Sequence, residues 1–377
     1  MSESLGMGLI GTGFMGRAHA IALRVVGSVF PEVSAPRCVH LADAHAGTAA
    51  RAARELGFER SGDDWRALLA DPEVAAVSIC TPNYLHHEMA LAALDAGKHV
   101  WCEKPLAVTV AEAESLASAA RTSGRVHLMG FNYAVNPLIR VARDIIRSGE
   151  IGEPVNFSGR YFEDYMASPE IGFSWRCEQR LAGSGALADL GSHLINMLHV
   201  LLGPIAEVSG TTSTVIRERR ESGSGRMRTV ENEDIAAVHA RLESGLPATM
   251  EISRVASGYK CGLIFEVFGS HGGIRFDQER MNELELYRAG DAPGRTGFKR
   301  MLIGPEHPDF RNFTPAPGHG LGYNDLKVIE ARNFLLAVQQ GRGAEPDFDE
   351  GLRVQRVMAA VEQSAAERRW VSTGIVA

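Results

Sequence analysis

Short apolar runs recur at Met7–Ile10, Cys38–Ala42, Val74–Cys80, His99–Cys102 and Val126–Met129, and helix-compatible segments separate them: Arg17–Val26, Thr48–Leu56, Trp65–Leu69, His86–Ala96 and Val110–Ala120. Strands that are apolar almost throughout, alternating with helices, predict an α/β domain whose parallel sheet is covered on both faces. Crossovers of this length suit right-handed β-α-β units. Past Asn132 the pattern changes: a helix over Pro137–Ile146, a strand over Pro154–Phe162, a glycine-rich turn and a helix over Ala188–Leu202. From Ile205 to about Tyr287 the chain reads mostly as strands. Ala236, Val238, Ala240 and Leu242 alternate with Ile235, Ala237, His239 and Arg241, the period-two pattern of an antiparallel sheet with unlike faces. A last helix carries Val354, Val357, Met358, Val361 and Ala365 on one stripe. Arg217–Asp234 reads as a solvated hairpin loop, and the proline-rich Ala289–Gly322 has no usable period.

The chain has 377 residues, which predicts two domains, 1–131 and 132–377, with the final helices free to return to the first. With 45% hydrophobic and 23% charged residues the composition is that of a globular protein. No run approaches the roughly 18 apolar residues of a membrane helix, and no secretory signal is visible at the N-terminus. The net charge of −7 argues against nucleic acid as the main partner. Five scattered cysteines without a C-x-x-C pair read as buried thiols of a reducing cytoplasm.

Gly11-Thr12-Gly13-Phe14-Met15-Gly16 follows the first strand and opens the first helix. In that context the glycines make a tight turn, a close backbone approach to a pyrophosphate and a close helix–strand contact, while the helix N-terminus faces the phosphates. Asp43, ending the second strand, is placed to bind the adenosine ribose. Its distance from Gly16 exceeds the usual spacing of roughly 20 residues, and the loop Gly27–Arg37 accounts for the surplus. An acid there favours NAD over NADP, although Asp43 is also a plausible helix cap. Thr81-Pro82-Asn83 and Glu103-Lys104-Pro105 end later strands at the same edge, with Lys104 directed to where a nicotinamide would lie.

Together with Gly130-Phe131-Asn132-Tyr133, Asp189-Leu190-Gly191-Ser192-His193 and the run Thr81–His86, these motifs give a chain that resembles the Gfo/Idh/MocA oxidoreductases over nearly its whole length. Val230–Asp234 and Phe276–Leu284 bring it nearest to the bacterial scyllo-inositol and L-glucose dehydrogenases, with levoglucosan dehydrogenase close by. The resemblance implies a Rossmann domain followed by an α/β domain with a large open sheet that often forms the oligomer interface. It implies NAD(P)-dependent oxidation of a secondary alcohol on a polyol or sugar, with Lys104, Asp189 and His193 as the catalytic trio. By motif position, Gly11 to Gly16, Asp43, Thr81, Asn83, His86, Glu103 and Lys104 would hold the cofactor.

Elementary chemistry suits the same trio. Taking hydride from a ring carbon requires a base for the hydroxyl proton, and neutral imidazole is the natural acceptor near pH 7. Asp189 and His193, four apart on a predicted helix, share a face. Lys104 would stabilise the developing alkoxide. Tyr161, Asp164, Tyr165, Trp175 and Arg176 form a polar, aromatic stretch before that helix, with Arg176 the first choice to reach substrate hydroxyls. Asn132 and Asn196 either contact substrate or satisfy turns. His319 is expected to reach a neighbouring subunit's site in a dimer or tetramer. His86-His87 cannot face one metal together, the chemistry needs none, and His19 reads as a packed residue. An NAD-dependent glycosidase and a cofactor-sensing regulator remain the alternative functions.

Overall fold

The computed structural model describes residues 4–374 and separates into two compact units. The first comprises residues up to Val135 together with Gly322–Leu352; the second comprises Asn136–Leu321 and the residues from Arg353 onward.

Six parallel strands form the sheet of the first unit: β1 (Gly6–Ile10), β2 (Arg37–Ala42), β3 (Arg60–Gly62), β4 (Ala76–Ile79), β5 (His99–Cys102) and β6 (His127–Met129), in the order β3-β2-β1-β4-β5-β6. This is the doubly wound Rossmann order, and it reverses direction between β1 and β4. Met7, Leu9, Val39, Leu41, Val77, Ile79, Val100 and Trp101 are wholly buried in it, each apolar side chain contributing about 1.5–3 kcal/mol. Five of the six strands follow from hydrophobicity. The edge strand β3 does not, because Arg60-Ser61-Gly62 has no apolar side chain to signal it. The first helix runs Phe14–Val29, longer than its apolar stripe suggested, so the connection to β2 is shorter than the loop expected. Local chemistry sets other boundaries. Thr109 and Glu112 form a reciprocal capping box at helix Val110–Ser123, and Gly57 closes helix Ala46–Leu56 in the left-handed conformation.

The second unit is built on a nine-stranded sheet. Its strands are β7 (Pro154–Phe162), β8 (Ile205–Ser213), β11 (Ile235–Leu242), β12 (Pro247–Ser253), β13 (Gly262–Gly269), β14 (Gly272–Asp277), β15 (Glu283–Arg288), β16 (Lys299–Leu302) and β17 (Val371–Ser372); β9 (Glu218–Arg220) and β10 (Met227–Thr229) make a separate ribbon. The order is β16-β15-β14-β13-β7-β12-β11-β8-β17, antiparallel except for the β7–β12 pair. Ala236, Val238, Ala240 and Leu242 are buried and Ala237, His239 and Arg241 exposed, as the alternation requires. Arg217–Asp234 is a hairpin, β9 paired with β10 and exposed over Ser222–Met227, but it is not solvated throughout: Arg219 is fully buried, donating to the carbonyls of Met166, Ser168 and Ile171, and Asn232, Glu233 and Asp234 are buried too.

The helical stretch Gln179–Leu202 is long and apolar enough to cross a membrane by length and composition, contrary to the expectation that no run approaches this, but 78% of its apolar window is buried in the unit. It is not uniform. Gln179–Ala182 is a single α turn, Leu187–Gly191 is wound as a π turn, and Ser192–Leu202 is α-helical. Asp189 therefore lies in a wider turn than regular four-residue spacing assumes, a feature often found at functional sites.

Candidate active site

In the first unit, the carboxyl ends of β1, β2, β4, β5 and β6 bring the sequence-predicted cofactor residues to one sheet edge. Gly11 has a φ of +94°, and a side chain there would strike the Cys80 carbonyl. A Cβ at Gly16 would lie 2.0 Å from the Gly11 carbonyl oxygen, so helix and turn meet only through glycine. Gly13 has nothing within 4 Å of such a Cβ, which leaves its backbone open to a ligand. No side chain caps helix Phe14–Val29 and its first turn holds no acid, so its terminal amides suit an anion. Asp43 Oδ2 accepts from the Thr12 N–H at 3.0 Å and the Thr12 hydroxyl at 2.5 Å, tying the second strand's acid to the fingerprint. Phe14 is exposed, its ring 5.4 Å from Tyr323, whose hydroxyl approaches Met15 Sδ at 3.1 Å.

Two of the expected cofactor residues are buried and hydrogen-bonded within the unit. His86 places Nδ1 2.7 Å from the Pro105 carbonyl and Nε2 2.9 Å from the Thr81 carbonyl, bracing the turns that carry Thr81, Asn83 and Lys104. Burial lowers its pKa, against the pull of those carbonyls. Glu103 Oε1 accepts from Lys327 Nζ at 2.6 Å and from His19 Nε2 at 2.8 Å. Lys327 also donates to Glu330 Oε2 at 2.7 Å, and His19 Nδ1 lies 2.7 Å from Ser78 Oγ. Burial works against the Glu103 charge, but Lys327 and His19 outweigh it and hold its pKa well below the usual range. Burial raises Glu330 against the attraction of Lys327, and it pushes His19 down to about 4. Neutral His19 then donates through Nε2 to Glu103 and accepts from Ser78, while its ring stacks on Trp101 at 3.7 Å. His19, Glu103 and Glu330 bring donor atoms within 4.8 Å of one another, as a metal site would; the cation among them is the Lys327 ammonium. Asn132 is buried, and its Nδ2 has no hydrogen-bond partner among the described residues.

The second unit holds the other half of the expected trio. Asp189, on the π turn, accepts from the Tyr165 hydroxyl at 2.5 Å and lies 3.9 Å from Arg176 Nε. Burial and then the Asp189 charge raise the Tyr165 pKa well above its ordinary value, so Tyr165 remains a donor. Arg176 stacks on Trp175 at 4.4 Å with its head half exposed. His193 and Asn196 are buried on helix Ser192–Leu202, with the His193 ring edge-on to Tyr161 at 6.2 Å. Tyr161 is spent on Glu163 at 2.7 Å, and Asp164 on Lys260 at 2.6 Å. His319 is exposed, Nδ1 bonding locally to the Pro317 carbonyl at 3.2 Å. Sequence reasoning missed Lys327, Glu330 and Arg254. The only local signal for the first two is a charged pair set among Leu326, Val328, Ile329 and Ala331.

A Rossmann sheet with an open glycine fingerprint, joined in one chain to an open-sheet unit, defines an NAD-binding oxidoreductase. Residues 5–131 match the oxidoreductase family with NAD-binding Rossmann fold, and residues 139–275 match the GFO/IDH/MocA C-terminal domain. The chain is 38% identical to levoglucosan dehydrogenase of Pseudarthrobacter phenanthrenivorans over 98% of both chains. A solved levoglucosan dehydrogenase, in complex with NADH and L-sorbose, superposes with a TM-score of 0.96 at 38% identity over 99% of this chain and 100% of that one. The scyllo-inositol 2-dehydrogenase (NAD(+)) of Bacillus subtilis is 28% identical over 91% of this chain and 88% of its own. The chain belongs to the Gfo/Idh/MocA family of oxidoreductases, which act on CH–OH groups with NAD. Within it, the similarity to levoglucosan dehydrogenase exceeds that to the inositol enzyme, the reverse of the order read from Val230–Asp234 and Phe276–Leu284.

Proposed function

We propose that the protein oxidises a secondary ring alcohol of a sugar or cyclitol to the ketone with NAD, and that an anhydro- or L-configured pyranose fits as well as an inositol. What supports it is the cluster of Tyr165, Asp189 and Arg176, whose Asp189 stands four residues before His193, in a chain with a full-length likeness to a sugar dehydrogenase. An ionised carboxylate flanked by a phenol and a guanidinium suits a vicinal pair of hydroxyls. NAD, when bound, supplies the hydride acceptor. His193 takes the hydroxyl proton as the carbon loses hydride, so one alcohol and NAD⁺ give one ketone, NADH and a proton. Lys104 stabilises the alkoxide, and Asp189 orients base or substrate. Asn132, whose orphaned amide costs about 1–3 kcal/mol, recovers a bond if it turns to a ligand oxygen. Gly11 to Gly16, Asp43, Thr81 and Asn83 bind the cofactor, with His86 and Glu103 behind them. The polar outer face of the nine-stranded sheet pairs two copies, and His319 serves the partner's site.

The test is NADH or NADPH formation with levoglucosan, L- and D-glucose and a set of inositols. A stoichiometric rise with NAD and one of these substrates is expected, and Lys104→Ala and His193→Ala should each lower kcat about 10²–10⁴-fold with NAD affinity kept. Turnover of glycosides without NADH release would establish the glycosidase instead, and NAD binding without any turnover the regulator.

A further inference from the structure

Three successive main-chain amides at the start of the Asp189 helix all donate to one residue. The Gly185 N–H reaches Glu233 Oε2 at 2.8 Å, the Leu187 N–H reaches Oε1 at 2.8 Å, and the Ala186 N–H reaches the Glu233 carbonyl at 2.9 Å. The first amides of a helix need acceptors, and no side chain of the helix's own cap supplies one here. The carboxylate arrives instead from a segment 48 residues further along the chain. Its approach is close: a Cβ at Gly185 would lie 2.0 Å from the Glu233 carbonyl oxygen, so this position must be glycine. The Asp189 N–H in turn donates to the Gly185 carbonyl at 3.1 Å.

The flanking residues extend the frame to Arg176. Asn232 Nδ2 donates to the carbonyls of Arg176 at 3.0 Å and Gly183 at 3.3 Å. Arg254 donates to Asn232 Oδ1 at 3.0 Å, to Asp234 Oδ1 at 2.9 Å and to the Arg176 carbonyl at 3.2 Å. Asp234 Oδ2 takes the N–H groups of Val215 and Ile216. The buried Asn232–Asp234 triplet and Arg254 thus bond the Arg176 carbonyl and the amides that precede Asp189. Burial, aided by the Glu362 charge and opposed by the amide bonds, raises the Glu233 pKa.

We propose that Glu233 is a positioning residue: it fixes the π turn that presents Asp189, and so governs sugar oxidation without touching the sugar, while Asn232 and Arg254 hold the Arg176 carbonyl beside it. This rests on the reading of Asp189 and Arg176 as substrate residues. Glu233→Gln keeps the shape but turns one acceptor into a donor facing an amide N–H. In E233Q, kcat/KM for the polyol should fall about 10–100-fold while NADH affinity, read by fluorescence, stays within about twofold. In a D189N background the same change should cost less than about twofold, because its effect passes through Asp189. An equal loss in both backgrounds, or unchanged kinetics in E233Q, overturns the proposal. If E233Q does not fold, E233D, which keeps the charge but cannot span both amides, is held to the same expectations. Amide hydrogen exchange at Gly185–Leu187 should be slow in the wild type and faster in E233Q, and equal rates sink the frame. Wild-type protein without turnover would sink the dehydrogenase reading, while the exchange comparison would still judge the frame.

Discussion

His19 is wholly buried, and its two ring nitrogens are matched to neutral imidazole: one donates to Glu103, the other accepts from Ser78. Its pKa is held near 4 in the folded protein, whereas an unfolded histidine titrates near 6.5. Below about pH 6.5 the unfolded chain therefore binds a proton that the folded chain does not, so stability falls as the pH is lowered. Between pH 7 and pH 4.5 this one group should cost about 2–3 kcal/mol. His19→Gln cannot titrate, so its stability, measured by urea denaturation, should fall less over that interval by this amount. Equal pH slopes in the two proteins would show that His19 is charged when folded. The same residue shows why side-chain roles resist sequence reading. Its placement next to the fingerprint suggested packing, which holds. Its partners are remote, however: Lys327 joins Glu103 from 224 residues away, and no local spacing announces a pair of that kind.

Elements of regular period were legible because burial itself sets the period. The parallel strands of the first unit and the alternating strands β11 and β12 follow from the placement of apolar residues. Each member of the candidate trio stands in a contiguous motif, which is what made it a candidate. What stayed hidden depends on hydrogen bonds rather than hydrophobicity: the short polar edge strand, the π turn at Asp189 and the triplet Asn232–Asp234, whose charges mimic a solvated loop. Asp43 accepts two bonds from Thr12; on the proposed ribose-binding role its charge would face the extra phosphate of NADP. Asp43→Ser keeps an acceptor for Thr12 and removes the charge. The ratio of kcat/KM for NADP to that for NAD should rise about tenfold or more, the effect of roughly 1.4 kcal/mol of relieved repulsion. An unchanged ratio would assign Asp43 to loop structure alone.

One row of polar side chains crosses the nine-stranded sheet. Ser209, His239, Thr249, Ser158, Glu266, Arg275 and Glu285 stand side by side by strand register, on the face opposite the buried core. Arg275 binds both Glu266 and Glu285 across the strands, so part of the row is already neutralised for contact with a like surface. A sheet face this broad, polar yet charge-paired, suits an isologous contact with a second copy. Ser158 is near its middle and is only half-buried, so Ser158→Arg adds bulk and charge there without entering the core. Sedimentation should find wild-type dimers or tetramers and a smaller species for S158R, with the far-ultraviolet spectrum unchanged. If His319 reaches the partner's site, S158R and His319→Ala should each raise KM for the sugar, and combining them should add little, because dissociation already removes what His319 provides. A monomeric S158R with wild-type KM would separate assembly from catalysis. A wild-type monomer would leave the open face to some other partner and return His319 to the role of a loop residue.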